Sequence, residues 1–283
     1  MPGILKGFTR IYSYINILSI DVAIGACIMA LFVASLVSIP IPPVILISLG
    51  ISVWLIYTID HLKDANTIKH KSHTKRHQFH QTHFKKLKVA VLILLPIQVV
   101  LLFFLPLSIF LAGFFLLLIV ILYFLVLWSL KLKEVYHKEI IISIVYTCGI
   151  FLPTVCNLDF EVSLILVFVF IQVSMLAFSN LLIFSLLEMA SDKLDNHASL
   201  ALVMGEKRTK LTIYVVLLLG LFFSLLLFIT TDEPVLQSAQ IIMMLMNLVL
   251  ISIISSGFFL RNERFRYIGD GIFFLPFLHL LWL

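Results

Sequence analysis

Asp60 and Asp64 stand one helical turn apart in the stretch DHLKDANTIKHKSHTKRHQFHQTH, and Glu188, Asp192 and Asp195 follow the same rhythm, i, i+4 and i+7, in EMASDKLDNHASL. On a helix, carboxylates at i and i+4 share one face about 6 Å apart, close enough to hold one divalent cation between them. Cations follow each set: Lys69, Lys71, Lys75 and Arg76 after the first, Lys193, Lys207, Arg208 and Lys210 after the second. Carboxylates beside Lys and Arg suit a magnesium-bound diphosphate, because Mg²⁺ takes a few carboxylates and fills its shell with substrate phosphates. Alone, the first pair is equally well read as a solvated helix end neutralised by Lys63 and its neighbours. Two acidic faces emerging on one side of a membrane favour the metal.

The first polar stretch also holds six of the nine histidines. His73, His77, His80 and His83 are spaced by four, three and three, with Arg76 and Phe79 interleaved. Three readings stay open. Membrane di-iron oxygenases use similar boxes, but outside this stretch only His137, His197 and His279 remain. The second reading is an amphipathic segment touching headgroups or pyrophosphate, its histidines partly protonated near anionic lipid. The third is a solvated loop.

These residues are set in a chain of 283 residues that is 61% hydrophobic and 12% charged, with a mean hydropathy of +1.14. A soluble domain carries about 25% charge, so the composition predicts an all-α polytopic membrane protein. Continuous Leu, Ile, Val and Phe rather than alternation argues for helices over a barrel. Cys27, Cys148 and Cys156 lack metal-type spacing and read as small core residues. The opening MPGILKGFTR reads as a basic lead-in to the first span, not a cleaved signal peptide.

A span needs about 20 apolar residues. Breaks at SIPIPP, Pro106 with Ser108, KLKEVYHKE, NLDFEVS, TTDEPVL and RNERFR, with the two polar stretches, predict nine spans. They run over 15–37, 44–59, two in 87–131, 140–155, 163–187, 211–230, 236–260 and 267–283. Charge supports the count. All twenty Lys and Arg fall in the N-terminal lead and four alternate connections, while SIPIPP, LPLS, NLDFEVS and TTDEPVL carry none. Cytoplasmic loops retain Lys and Arg, which puts the N-terminus and both acidic faces in the cytoplasm. The expected location is a bacterial inner membrane. The net charge of +5 then reflects topology and anionic lipid rather than nucleic-acid binding.

Polar residues inside the spans point to the same side. Asp21, with Asn16 nearby, and Asp270 lie shallow in the first and ninth spans, and Asn180 sits two turns before Glu188. Ionisable groups at such depth face a cavity or each other, so they are either the rim of a cytoplasm-facing pocket or packing partners of Arg10, Arg264 or Arg266. Tyr57, Tyr136 and Tyr267 suit an aromatic belt, and Tyr57 is near enough to Asp60 to line the site.

Nine helices with acidic motifs after the second and sixth resemble the UbiA-type intramembrane prenyltransferase superfamily over essentially the whole chain. The last two acidic positions of its first motif, Asn-Asp-x-x-Asp-x-x-x-Asp, fall on Asp60 and Asp64, while the Asn-Asp pair falls on Ile56 and Tyr57. In the second, Glu188 and Asp192 take the acidic positions, Ser199 stands at the Thr and Gly205 at the Gly, with Phe184 and Ser185 where Asn-Asp is common. The resemblance implies a single domain over 1–283 that transfers a prenyl group from a polyprenyl diphosphate to a small-molecule or lipid acceptor. Asp60, Asp64, Glu188, Asp192 and Asp195 would hold Mg²⁺ on the diphosphate. Tyr57, Lys69, Lys75, Arg76, Asn180, Lys193 and Asp21 would contact substrate. The departures also allow a non-catalytic lipid-diphosphate binder or a protein kept for assembling a membrane complex, with a transporter as a weaker option.

Overall fold

The computed structural model describes residues 11–68, 70–129, 138–158, 164–195 and 198–282. Its helices, in chain order, are α1 (Ile11–Ile17), α2 (Ile20–Ser35), α3 (Pro43–Thr67), α4 (Lys75–Thr82), α5 (Phe84–Leu102), α6 (Leu107–Ser129) and α7 (Lys138–Val155). They continue as α8 (Leu164–Leu187), α9 (Met189–Asp195), α10 (Leu200–Met204), α11 (Glu206–Thr230), α12 (Pro234–Ser255), α13 (Arg264–Gly271) and α14 (Pro276–Leu280). There is no strand among the described residues. Proline sets three starts: Pro43 opens α3, Pro234 opens α12 and Pro276 opens α14, where the missing N–H costs nothing.

By length and composition, α3, α7, α8, α11 and α12 can each cross a membrane, and the α1–α2 pair makes a sixth if counted as one bent span. Of the nine spans expected from the sequence, α5 and α6, at the third and fourth, and the last are not among these six, and the first and last are broken. The first span breaks between Ile17 and Ile20 with an 80° bend, where Ser19 adopts a left-handed conformation, φ 55°, and Asp21 Oδ1 takes the Val22 N–H at 2.9 Å. The last divides into α13, a 3₁₀ turn at Ile272–Phe274 and α14, with Pro276 unable to continue the preceding hydrogen-bond ladder.

Helices α2, α7, α8, α11 and α12 pack in sequence, and α14 returns from α12 to α2. Fully buried Met29 and Phe32 of α2, Leu176 and Leu182 of α8, and Met243, Met246 and Leu250 of α12 fill the centre. The outer helices turn Leu92, Phe114, Phe115, Ile119 and Phe222 outward, apolar exposure that fits lipid rather than water. Since lipid is as apolar as Leu, polar side chains supply specific adhesion between helices. Gln172 of α8 donates to Ser224 Oγ of α11 and to Gln240 Oε1 of α12, each at 2.9 Å. Gln98 of α5 donates to Ser48 Oγ of α3 at 2.8 Å. His279 of α14 lies 3.2 Å from Ser35 Oγ and 2.7 Å from Ser238 Oγ.

The polar junction gives a direct test of this packing. Gln172→Ala should lower unfolding free energy by about 1–2 kcal/mol, the range for losing an interhelical hydrogen bond and stranding its partners. Equilibrium unfolding in mixed micelles would measure it.

Candidate functional site

The bend in the first span is where the site begins. Asn16 Nδ2, at the end of α1, donates to Asp21 Oδ2 of α2 at 2.6 Å and to Asp270 Oδ2 of α13 at 2.8 Å. Arg76 of α4 completes this group, its Nη2 lying 3.2 Å from Asp270 Oδ2 and 3.3 Å from both the backbone and side-chain oxygens of Asn16. The Asn16 carbonyl, which already takes Ser19 N at 3.0 Å within the bend, thus receives a guanidinium N–H as well. Arg76 can reach it because residues 75–82 form a helix capped by Thr74, whose hydroxyl accepts from His77 N at 3.4 Å. One face of that helix buries Arg76 and His80. Burial pushes the His80 imidazole down from its ordinary value.

The two acidic faces meet across the first turn of α7. Helix α3 continues past the apolar segment to Thr67 and carries Asp60 and Asp64 together. Lys138 Nζ, opening α7, lies 3.3 Å from Asp60 Oδ2 and within the field of Asp64. Its neighbour Glu139 uses Oε1 to accept from Leu200 N at 2.8 Å, capping α10, while Oε2 is buried without a hydrogen bond. Asp192, on α9, lies within the fields of both Glu139 and Glu188. Burial, then the charges of Glu188 and Glu139, push its carboxyl up to about 7 against the opposing pull of Arg266. Glu188 itself accepts two N–H groups from Arg266 of α13.

Asp195 stands apart from this cluster. Its carboxylate accepts from Ser72 Oγ at 2.6 Å and His73 N at 3.2 Å, and meets His73 Nδ1 at 2.6 Å and His70 Nε2 at 2.9 Å. Burial raises its carboxyl, but the hydrogen bonds from Ser72, His73 and His70 outweigh that and hold it well below the usual carboxylate range. The interaction ties the connection after α3 to the end of α9.

Among the residues expected to touch substrate, Tyr57 lies in the fields of Asp270, Arg76 and Asp60. Asn180 is buried with Oδ1 unbonded, against Gly269. Asp21 and Arg76 are both engaged in the bend network. Lys75 lies 3.5 Å from Glu263, Lys193 is exposed, and Lys69 falls outside the described residues. The histidines expected as one row separate: His73 turns to Asp195, His77 to Asp64, and His80 bonds to Arg76 O, while His83 stacks on Phe79. Sequence reasoning missed the roles of Lys138, Glu139 and His61. Their only early signal was charge at a span end.

Two substitutions probe these contacts. Arg76→Met should destabilise the protein by about 3–5 kcal/mol, since it leaves Asp270 buried without its cation; chemical unfolding would read the loss. For Asp195 the folded pKa is depressed, so its contribution is present above the unfolded value near 3.8 and fades as pH falls through the folded one. Asp195→Asn should therefore speed hydrogen exchange in residues 70–74 about tenfold or more at pH 7, and flatten the acid-induced rise seen in the parent.

No protein-family model matches the sequence, and no curated protein matches it. Solved structures do. A UbiA homologue from Archaeoglobus fulgidus bound to GPP and Mg²⁺ is similar over 95% of this chain and 99% of its own, with a TM-score of 0.63 at 12% identity. The same homologue bound to DMAPP and Mg²⁺ gives 0.61 at 12% identity over the same shares. A digeranylgeranylglyceryl phosphate synthase gives 0.54 at 15% identity, over 97% of this chain and 96% of its own. An all-helical integral membrane bundle with these neighbours at such low identity has the fold of the UbiA-type intramembrane prenyltransferases, in a divergent form.

Proposed function

We propose that this chain transfers a prenyl group from a polyprenyl diphosphate to a small-molecule or lipid acceptor, on the cytoplasmic face of a nine-span bundle in a bacterial inner membrane. One observation carries the reading: the first turn of α7 touches both acidic segments, Lys138 lying 3.3 Å from Asp60 of α3 and Glu139 accepting from Leu200 N at 2.8 Å, just beyond the helix α9 that carries Asp192. The folding neighbours that bind GPP or DMAPP with Mg²⁺ support it.

The residues fit that metal. Asp60, Asp64, Glu188, Asp192 and the unbonded Glu139 Oε2 supply carboxylate oxygens, the donor type hard Mg²⁺ prefers; no three of these carboxylates lie within 4.8 Å of one another among the described residues, so diphosphate oxygens would have to bridge the two acidic segments. When bound, the ion would neutralise charge accumulating on departing pyrophosphate. Lys138 and Arg266, each already beside a carboxylate, would add N–H donors to the same leaving group as the C–O bond breaks. Tyr57 and Asn180 form the polar edge from which an acceptor would approach the allylic carbon. A second reading rests on the ion pairs themselves: with Lys138 on Asp60 and Arg266 on Glu188, the site could hold a lipid diphosphate without turnover.

In nanodiscs, geranyl diphosphate with Mg²⁺ should raise Tm by several degrees, an effect removed by chelator and lost in Asp64→Asn and Asp192→Asn. Release of pyrophosphate in membranes separates the transferase from the binder. Because Asp192 must lose its proton to take the metal, apparent Mg²⁺ affinity should weaken by about tenfold per pH unit below 7. Full prenyl transfer by both carboxamide variants would rule out the transferase reading.

A further inference from the structure

A different donor set sits beside these oxygens. His61 of α3 points one ligand nitrogen to within 4.8 Å of ligand atoms of Asp64 and His77, with all three donors mutually inside that distance. His77 Nε2 is 3.9 Å from Asp64 Oδ2. His61 is 9% exposed, yet neither Nδ1 nor Nε2 has a hydrogen-bond partner. A buried imidazole normally satisfies at least one nitrogen. Its surroundings supply rings instead: Tyr57 at 6.3 Å, His77 at 6.1 Å and His80 at 4.9 Å between centroids. The nearby guanidinium groups of Arg76 and Arg266 are already matched by Asp270 and Glu188, so the pocket is not left strongly positive.

We propose that His61, Asp64 and His77 form a site for one borderline divalent cation of the Zn²⁺ or Fe²⁺ class. Two imidazoles and one carboxylate suit such metals and disfavour Mg²⁺, which prefers oxygen and its own water. Donors about 2.0–2.2 Å from a tetrahedral ion sit about 3.4 Å apart, so the metal is seated when the His77–Asp64 pair closes from 3.9 Å and the His61 pairs close from inside 4.8 Å. His61 and Asp64 belong to α3 and His77 to α4, so the ion would fasten the short helix that carries Arg76 to the end of a membrane span. The site does not depend on the transferase reading. It shares Asp64 with that reading, and His61 and His77 tell the two apart.

The test uses full-length protein purified without a histidine tag, stripped with chelator and titrated with Co²⁺. The expected result is uptake of one equivalent with visible d–d bands and a higher Tm. Both effects should be lost in His61→Gln and in His77→Gln and retained in His70→Gln, which alters the separate His70, His73 and Asp195 group. X-ray absorption on the Co²⁺-loaded parent should show two imidazoles in the metal shell and needs no variant to fold. Absence of stoichiometric uptake, a shell without imidazole, or uptake unchanged in both His61→Gln and His77→Gln would overturn the assignment.

Discussion

A buried guanidinium holds the polar end of this protein together. Arg76 and Asp270 have side chains only 8% exposed, and removing charge from water is expensive unless geometry and further hydrogen bonds repay it. Here Asn16 supplies them by donating to Asp270 and Asp21 while accepting from Arg76. The arrangement explains three otherwise separate features. The first span can break at Ser19 because the Asn16 carbonyl keeps two donors there, Ser19 N and the Arg76 guanidinium. Helix α4, with few apolar residues, is held against the bundle by charge rather than by hydrophobic area. Helix α13 is fixed beside the first span, which places Arg266 where it meets Glu188.

Charge compensation then explains the site itself. Five carboxylates gather at one end of the bundle, and their mutual repulsion would oppose folding if nothing balanced it. Lys138, His77, Arg266 and the Asp195-bound loop each answer one of them. Asp192 has no comparable ion pair among the described residues; burial first, and then the charges of Glu188 and Glu139, raise its carboxyl. A divalent cation arriving there would relieve repulsion the fold leaves in place.

Much of this was legible in the residues. The i, i+4 spacing of Asp60 and Asp64 needs only helix geometry to put both on one face, and α3 does extend through them. The one-sided Lys and Arg distribution marks one end of the bundle. What could not be read were pairings across long separations: Lys138 meets Asp60 and Arg266 meets Glu188, each from 78 residues away. Local spacing carries no trace of such contacts. The break near Ser19 was also hidden, because it contains neither Gly nor Pro. Its only sign was Asn16, Ser19 and Asp21 crowded into an apolar run.

The histidines show how local pattern misleads when a short helix folds back. A row at 73, 77, 80 and 83 looks like one ligand face, but α4 begins only at Lys75 and its inner side is claimed by Arg76 and His80. His73 therefore lies before the helix and turns to Asp195, whereas His77 reaches α3. His61, excluded from the row by distance along the chain, is brought to His77 by the continuation of α3 beyond the apolar segment. The same extension that unites the acidic pair thus assembles the imidazoles. Oxygen-rich and nitrogen-rich donor sets become neighbours through one helix, with Asp64 common to both.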